Sequence, residues 1–171
     1  MTKKLFMTRI ATLVFTCALS HLSFSQINVQ WEARLNDPTG NFIDKAVDLA
    51  LDASGNTYVV GTSYDGTSYD VVTVKYNSAG VEIWRSSFGG AGIDEAGGII
   101  IDSNNDVIVT GSTFISGSNY DIFTAKYNGV TGVLIWSVIH AEAIDLYDGG
   151  KDIAVDALNN VIITGVLAIT A

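Results

Sequence analysis

The chain's 171 residues hold 18 acids against 9 lysines and arginines, a formal net charge of −9. That balance argues against nucleic acid and anionic lipid surfaces as partners, because both repel so acidic a chain. A single cysteine, Cys17, excludes a disulfide framework, so stability must come from packing.

Residues 1–25 read as a secretory signal peptide. Lys3, Lys4 and Arg9 form a positive head, Ile10 to Phe24 form a mostly apolar stretch, and Ser23-Phe24-Ser25 supplies small residues for cleavage before Gln26. A transmembrane helix is the weaker reading, since Ser20, His21 and Ser23 interrupt a run already short for a bilayer. A lipid anchor on Cys17 is disfavoured by the Val14-Phe15-Thr16 approach. The expected localisation is therefore secreted, extracellular or at the cell surface, with no membrane insertion of the mature chain. Cleavage removes Cys17, His21 and the three cations, leaving His140 as the lone histidine and a still more acidic protein.

Gln26 to Leu35 reads as a lone strand around Trp31. Thereafter the chain repeats with a period of about fifty residues. Asp52-Ala-Ser-Gly-Asn-Thr-Tyr-Val-Val-Gly61 returns as Asp102-Ser-Asn-Asn-Asp-Val-Ile-Val-Thr-Gly111 and as Asp156-Ala-Leu-Asn-Asn-Val-Ile-Ile-Thr-Gly165. Tyr69-Asp70-Val-Val-Thr-Val-Lys-Tyr76 returns as Tyr120-Asp121-Ile-Phe-Thr-Ala-Lys-Tyr127. The units are 44–88, 94–140 and a partial third at 148–171. Each complete unit contains segments a to d, rich in Val, Ile, Thr and aromatics and bounded by Gly, Asn, Asp and Ser. In the first unit they are 47–52, 57–62, 70–76 and 81–86; in the second they are 98–102, 107–112, 121–127 and 133–138. No apolar stripe has helical spacing, so no helix is expected after the leader.

The Gly and Asn residues of 53–56 and 103–106 suit tight a–b hairpins, because they tolerate left-handed backbone. Ile99-Ile100-Ile101 is apolar on both faces of its strand, so the sheet needs cover on both sides. Four-stranded antiparallel sheets packed face to face supply that cover, and their radial repetition is a β-propeller. The expected fold class is all-β, propeller blades in an incomplete propeller of about two to three repeats. Trp31, Trp84 and Trp136 are expected between neighbouring blades rather than in a ligand site.

The 152–161 pattern Asp-Ile-Ala-Val-Asp-Ala-x-Asn-Asn-Val, Tyr58-Val-Val-Gly-Thr62 and the Phe88-Gly-Gly-Ala-Gly-Ile-Asp94 lead-in resemble the SBBP β-propeller repeat. The resemblance covers essentially the whole mature chain. It implies a secreted or surface protein of bacteria and a propeller scaffold, with no particular activity.

Propellers need four or more blades, and two to three repeats fall short. An uncovered blade face of ~400 Å² would forgo roughly 10 kcal/mol. A longer propeller of which these repeats are a piece is the favoured reading. Association of identical chains fits less well, because it leaves a blade without segment c.

Several motifs invite chemistry. Asp102-Ser-Asn104-Asn-Asp106 echoes the start of a calcium loop, but Val107 and Thr113 occupy the places where glycine and glutamate are required. A turn in which Asp and Asn bond their own backbone accounts for all three copies. Asp44, Asp94 and Asp148 recur before segment a, and Asp70 and Asp121 open segment c. Recurrence favours backbone bonding in turns or fixing of the next blade over catalysis, and nothing singles out a carboxylate pair for glycoside hydrolysis. Phe88-Gly-Gly-Ala-Gly is no dinucleotide cradle, since Glu95 stands where glycine or alanine is required and no helix follows. His140 lacks companions for zinc. Lys75 and Lys126 are expected to lay their stems along the sheet and pair with nearby acids.

No catalytic, cofactor or metal residue is therefore assigned. The expected function is a non-catalytic secreted scaffold or binding module that offers the Tyr64–Tyr69 and Phe114–Tyr120 loops to a protein or carbohydrate. The alternatives are a propeller enzyme whose site lies in further repeats, and a piece with no independent function.

Overall fold

The computed structural model describes residues 29–33, 43–117, 119–141 and 147–168. The expected leader at 1–25 lies outside them. Strands β1 (Lys45–Leu51), β2 (Thr57–Tyr64), β3 (Tyr69–Tyr76) and β4 (Glu82–Phe88) form one antiparallel sheet in that order. Strands β5 (Glu95–Ile101), β6 (Val107–Ser116), β7 (Asn119–Tyr127) and β8 (Leu134–His140) form a second in the same order. Strands β9 (Gly149–Val155) and β10 (Val161–Val166) form a two-stranded third. No helix occurs among the described residues. Residues 29–33, from the segment read as a lone strand, join no strand.

The three a–b turns share one construction. Asp52, Asp102 and Asp156 each accept, through Oδ1, the backbone N–H of the residues two and four places on. Gly55, Asn105 and Asn159 take the left-handed position at φ 78°, 61° and 63°. Glycine and asparagine are the residues that reach this conformation at least cost, so the turn chemistry dictates their place.

The first strand of each complete unit starts two to three residues earlier than the apolar pattern suggests, because it carries a bulge there that β9 repeats. Val47, Gly97 and Lys151 are the extra residues, lying between paired neighbours. Opposite each bulge stands a glycine. A Cβ on Gly61, Gly111 or Gly165 would lie 2.4, 2.0 or 2.2 Å from the carbonyl oxygen of Lys45, Glu95 or Gly149. This crowding requires the recurrent glycine, and bulges of this kind sharpen local twist. A second bulge, at Ile83 and Ile135, brings Trp84 opposite Lys75 and Trp136 opposite Lys126.

The two complete sheets lie against each other. Tyr58, Val60, Val71 and Trp84 of the first meet Ile99, Val107, Val109, Phe123, Ala125 and Tyr127 of the second in one buried cluster. Phe88 stacks on Phe123 at 4.4 Å between centroids. Trp84 is 8% exposed and packs over Gly132, whose added Cβ would fall 2.7 Å from the indole. Trp31 packs over Gly80 in the same way, and on Tyr76 at 5.6 Å. The expected place of the tryptophans between sheets is thus met for Trp84, and Trp31 lies on the outer face of the first sheet with Val72, Val74 and Tyr76.

Within this seam, Thr73 is fully buried and its hydroxyl has no hydrogen-bond partner. An unsatisfied buried hydroxyl costs about 1–3 kcal/mol. Thr73→Val is therefore expected to raise unfolding free energy by about 1 kcal/mol, checked by urea denaturation followed by circular dichroism.

Candidate functional site

The antiparallel order puts the β2–β3 and β6–β7 hairpin tips and the β4–β5 connection at one end of the sheets. The two tips are shorter loops than the sequence pattern suggests. Tyr64 and Tyr69 are cross-strand partners, and so are Phe114 and Tyr120. Their rings meet at 5.2 and 5.5 Å, and Tyr120 continues to Tyr147 at 5.4 Å. Phe114 also covers Gly92, where a Cβ would clash with the ring. These aromatics are half-buried, each closing the end of its own hairpin, while Asp65, Gly66, Thr67, Ile115, Ser116 and Gly117 stand exposed at the tips. Asp65 folds the first tip by accepting the Thr67 and Ser68 amides, at 2.7 and 2.9 Å. Those amides hold its carboxyl below the usual carboxylate range.

The recurrent acids form the frame beneath this rim. Asp94 is fully buried; Oδ1 accepts the Thr113 hydroxyl at 2.6 Å and the Phe114 amide at 3.0 Å, and Oδ2 accepts the Gly90 amide at 3.0 Å. Its own amide donates to the Tyr69 carbonyl of the preceding sheet at 2.7 Å. Asp148 repeats this, donating to the Tyr120 carbonyl at 2.7 Å and accepting the Ala168 amide at 2.8 Å. Asp44 accepts the Ser63 hydroxyl. Asp44 and Asp94 therefore tie the start of their units to the second strand and Asp148 ties its own to Ala168 just past β10, while Asp94 and Asp148 also tie it to the sheet before, as their recurrence suggests.

Asp70 and Asp94 flank Gly89 closely, since a Cβ there would lie 2.5 Å from a carboxylate oxygen of each. Burial pushes the Asp70 carboxyl up against the hydrogen bond from Ser68, and Asp65 and Asp94 add repulsion. Two carboxylates around the Gly89-Gly90 backbone make it hostile to a phosphate. Sequence reasoning missed this approach; the 19-residue interval shared by Asp44–Ser63 and Asp94–Thr113 marks only the acid-to-hydroxyl bonds.

At the opposite end the two recurrent lysines part company. Lys126 pairs with Asp102 at 2.6 Å and Asp106 at 3.1 Å, as expected of it. Among the described residues Lys75 pairs with no acid: its ammonium donates to the Gly129 carbonyl of the next sheet at 2.7 Å and lies over the Tyr58 ring. The reason is local. Asn56 stands where Asp106 stands in the second unit, and Asn56 and the Tyr58 hydroxyl already occupy Asp52 Oδ2. Trp84 Nε1 donates to the same Gly129 carbonyl at 3.2 Å. Burial pushes the Tyr58 hydroxyl up to about 12, with Asp52 adding to the effect. The Asp102-to-Asp106 turn thus spends its carboxylates on its own amides, on the Gly129 amide and on Lys126. Among the described residues no group of three or more His, Cys, Asp or Glu side chains could hold a metal ion.

Burial pushes the Asp102 carboxyl up, but Lys126 and the amides of Asp106 and Asn104 outweigh it and hold it below its ordinary 3.8. A depressed carboxylate contributes stability above its ordinary value and loses it as pH falls through the depressed one. Lys126→Met is expected to lower stability by about 1–2 kcal/mol near neutral pH. The wild-type and variant stability curves should converge as pH drops below 3.8, followed by urea denaturation across the acid range.

The rim can accept hydrogen bonds through its acids and carbonyls and offer ring edges beside them, which suits hydroxyl-rich or cationic groups. No protein-family model matches the chain, and no curated protein matches it.

Proposed function

We propose that the chain is a run of β-propeller blades, secreted through its N-terminal leader, that acts as a non-catalytic scaffold or binding module. The observation that carries this reading is the seam between the first two sheets, with the Trp84–Gly132 packing that Trp31 and Gly80 repeat on the outer face. A fixed relation between successive sheets is what radial repetition requires. Rigid sheets then hold the exposed tips around Asp65 and Gly117 toward a protein or carbohydrate partner, and short polar residues flanked by aromatic rings suit such recognition.

Two measurements test the reading. In single-tryptophan variants, Trp84 should resist acrylamide quenching in the native protein; a solvent-quenched Trp84 would remove the seam and the blades with it. A glycan and peptide array should then give a ligand whose binding is lost on Asp65→Ala or Tyr64→Ala. Binding that ignores the tips would reject them as the contact surface.

A further inference from the structure

We propose that a cleft across the starts of β1, β5 and β9 binds a carboxylate-bearing sugar, a hexuronate or its glycoside, through Lys45, Glu95 and Lys151. The inference rests on the binding-module reading above, but it places the contact beside the hairpin tips rather than on them.

Three first strands build the cleft. Strand β5 lies between β1 and β9. The opening of about 320 Å³ takes its walls from Ile43, Lys45, Tyr69, Ile93, Glu95 and Lys151. That size falls within the range of small-molecule pockets, about 300–1,000 Å³. The bulges shape it: Val47 and Lys151, the extra residues of β1 and β9, both line it. Bulges re-aim side chains in this way. Gly97, the extra residue of β5, lets β9 close in, because a Cβ there would strike the Gly150 carbonyl oxygen beside Lys151.

The polar residues of the cleft are the ones that break the repeat. Around the recurrent acid the units read Ile43-Asp-Lys-Ala-Val47, Ile93-Asp-Glu-Ala-Gly97 and Tyr147-Asp-Gly-Gly-Lys151. The acid is constant, but the place after it holds Lys45, Glu95 or Gly149, and the bulge holds Val47, Gly97 or Lys151. A framing role recurs with each unit, as the glycines opposite the bulges do. A ligand asks a different group of each unit, and here two cations and one anion converge from three.

Their charges are available to a ligand. Arg85 and Lys126 are paired with acids, and Lys75 is turned onto the Gly129 carbonyl. Among the described residues Lys45 forms no ion pair. Lys151 donates to the Tyr147 hydroxyl at 3.4 Å, which donates in turn to Glu95 Oε2 at 3.1 Å. Lys45, Glu95 and Lys151 are all exposed. Two ammonium groups against one carboxylate suit a single negative charge, and Glu95 opposes a doubly charged phosphate. The chain's net charge of −9 repels polyanions as well. One hexuronate meets every group: its carboxylate faces the lysines, its hydroxyls donate to Glu95, and its C–H face lies on Ile43, Ile93 and Tyr69. An acidic peptide side chain brings the carboxylate without the neighbouring hydroxyls.

The probe is methyl β-D-glucuronide, titrated into the isotope-labelled full chain and followed by two-dimensional NMR. Methyl β-D-glucoside, with a hydroxymethyl group in place of the carboxylate, is its neutral twin. Saturable shifts should appear at the amides of 43–47, 93–97 and 149–151 with a Kd of about 1 mM, and the glucoside should bind about tenfold more weakly. Lys45→Met and Lys151→Met should each weaken binding about threefold. Arg85→Met, which removes one charge elsewhere, should leave it unchanged. The proposal is overturned by the absence of saturable shifts up to about 0.1 M ligand. Equal binding of the glucoside, lysine variants that bind as the wild type does, or an equal loss in Arg85→Met overturn it too. Tighter binding of a tetraglutamate peptide would mark an acidic peptide as the occupant, and loss in Asp65→Ala with both lysine variants unaffected would move the contact to the tips. Either result overturns the cleft. Failure here with Trp84 still shielded from quencher removes only this site, whereas a quenched Trp84 removes the blade reading beneath it.

Discussion

Trp84→Ala is expected to lower the unfolding free energy by about 3–5 kcal/mol, the cost of emptying a buried aromatic site. The indole fills the seam, rests on Gly132, tilts against Tyr58 at 5.9 Å and donates to the Gly129 carbonyl at 3.2 Å. Alanine leaves a void on both sheets at once, and the glycine that made room for the ring cannot refill it. Trp84→Phe should fall between, keeping most of the volume while losing the Nε1 bond. Urea denaturation followed by circular dichroism measures all three proteins. A loss below about 1 kcal/mol for the alanine variant would mean that the two sheets do not depend on this contact.

Asp94→Ala is the second large effect, about 3 kcal/mol or more, because it orphans the Thr113 hydroxyl and the amides of Phe114 and Gly90 together. Asp44→Ala is the matched control. Among the described residues Asp44 accepts one hydroxyl, from Ser63, at the margin of the first sheet, and the loss of that bond should cost about 0.5–1.5 kcal/mol. Equal losses at the two positions would contradict the account of Asp94 as the residue that joins the β4–β5 connection to the tip of the second sheet. Thermal denaturation of the pair, run side by side, decides it.

Much of the scaffold was legible because local chemistry repeats. Asp52, Asp102 and Asp156 announce their turns through the residues that follow, and period-two alternation marks the strands. The starts of β1 and β5 were not legible, since a bulge breaks the alternation that defines a strand in sequence. The glycines opposite the bulges were visible as repeats, yet their reason lies across the ladder, in carbonyls of another strand. The tips misled in the other direction: the small polar residues of 65–68 read as a long loop, while Tyr64 and Tyr69 extend the ladder past it. Lys75 misled because its partner is a carbonyl in the next sheet, a group every residue has and no sequence pattern marks.

That last point reaches further. Ile99 offers its amide to Asp48, Ala96 its amide to Thr62, Gly129 its carbonyl to Lys75 and Trp84, and Gly132 its carbonyl to Ser86. In each case one sheet reads the main chain of its neighbour and ignores the neighbour's side chain. Main chain does not mutate. A gene encoding such units can duplicate, delete or exchange them in tandem, and these particular hydrogen bonds survive between new neighbours wherever the turn keeps a glycine in the place of Gly132.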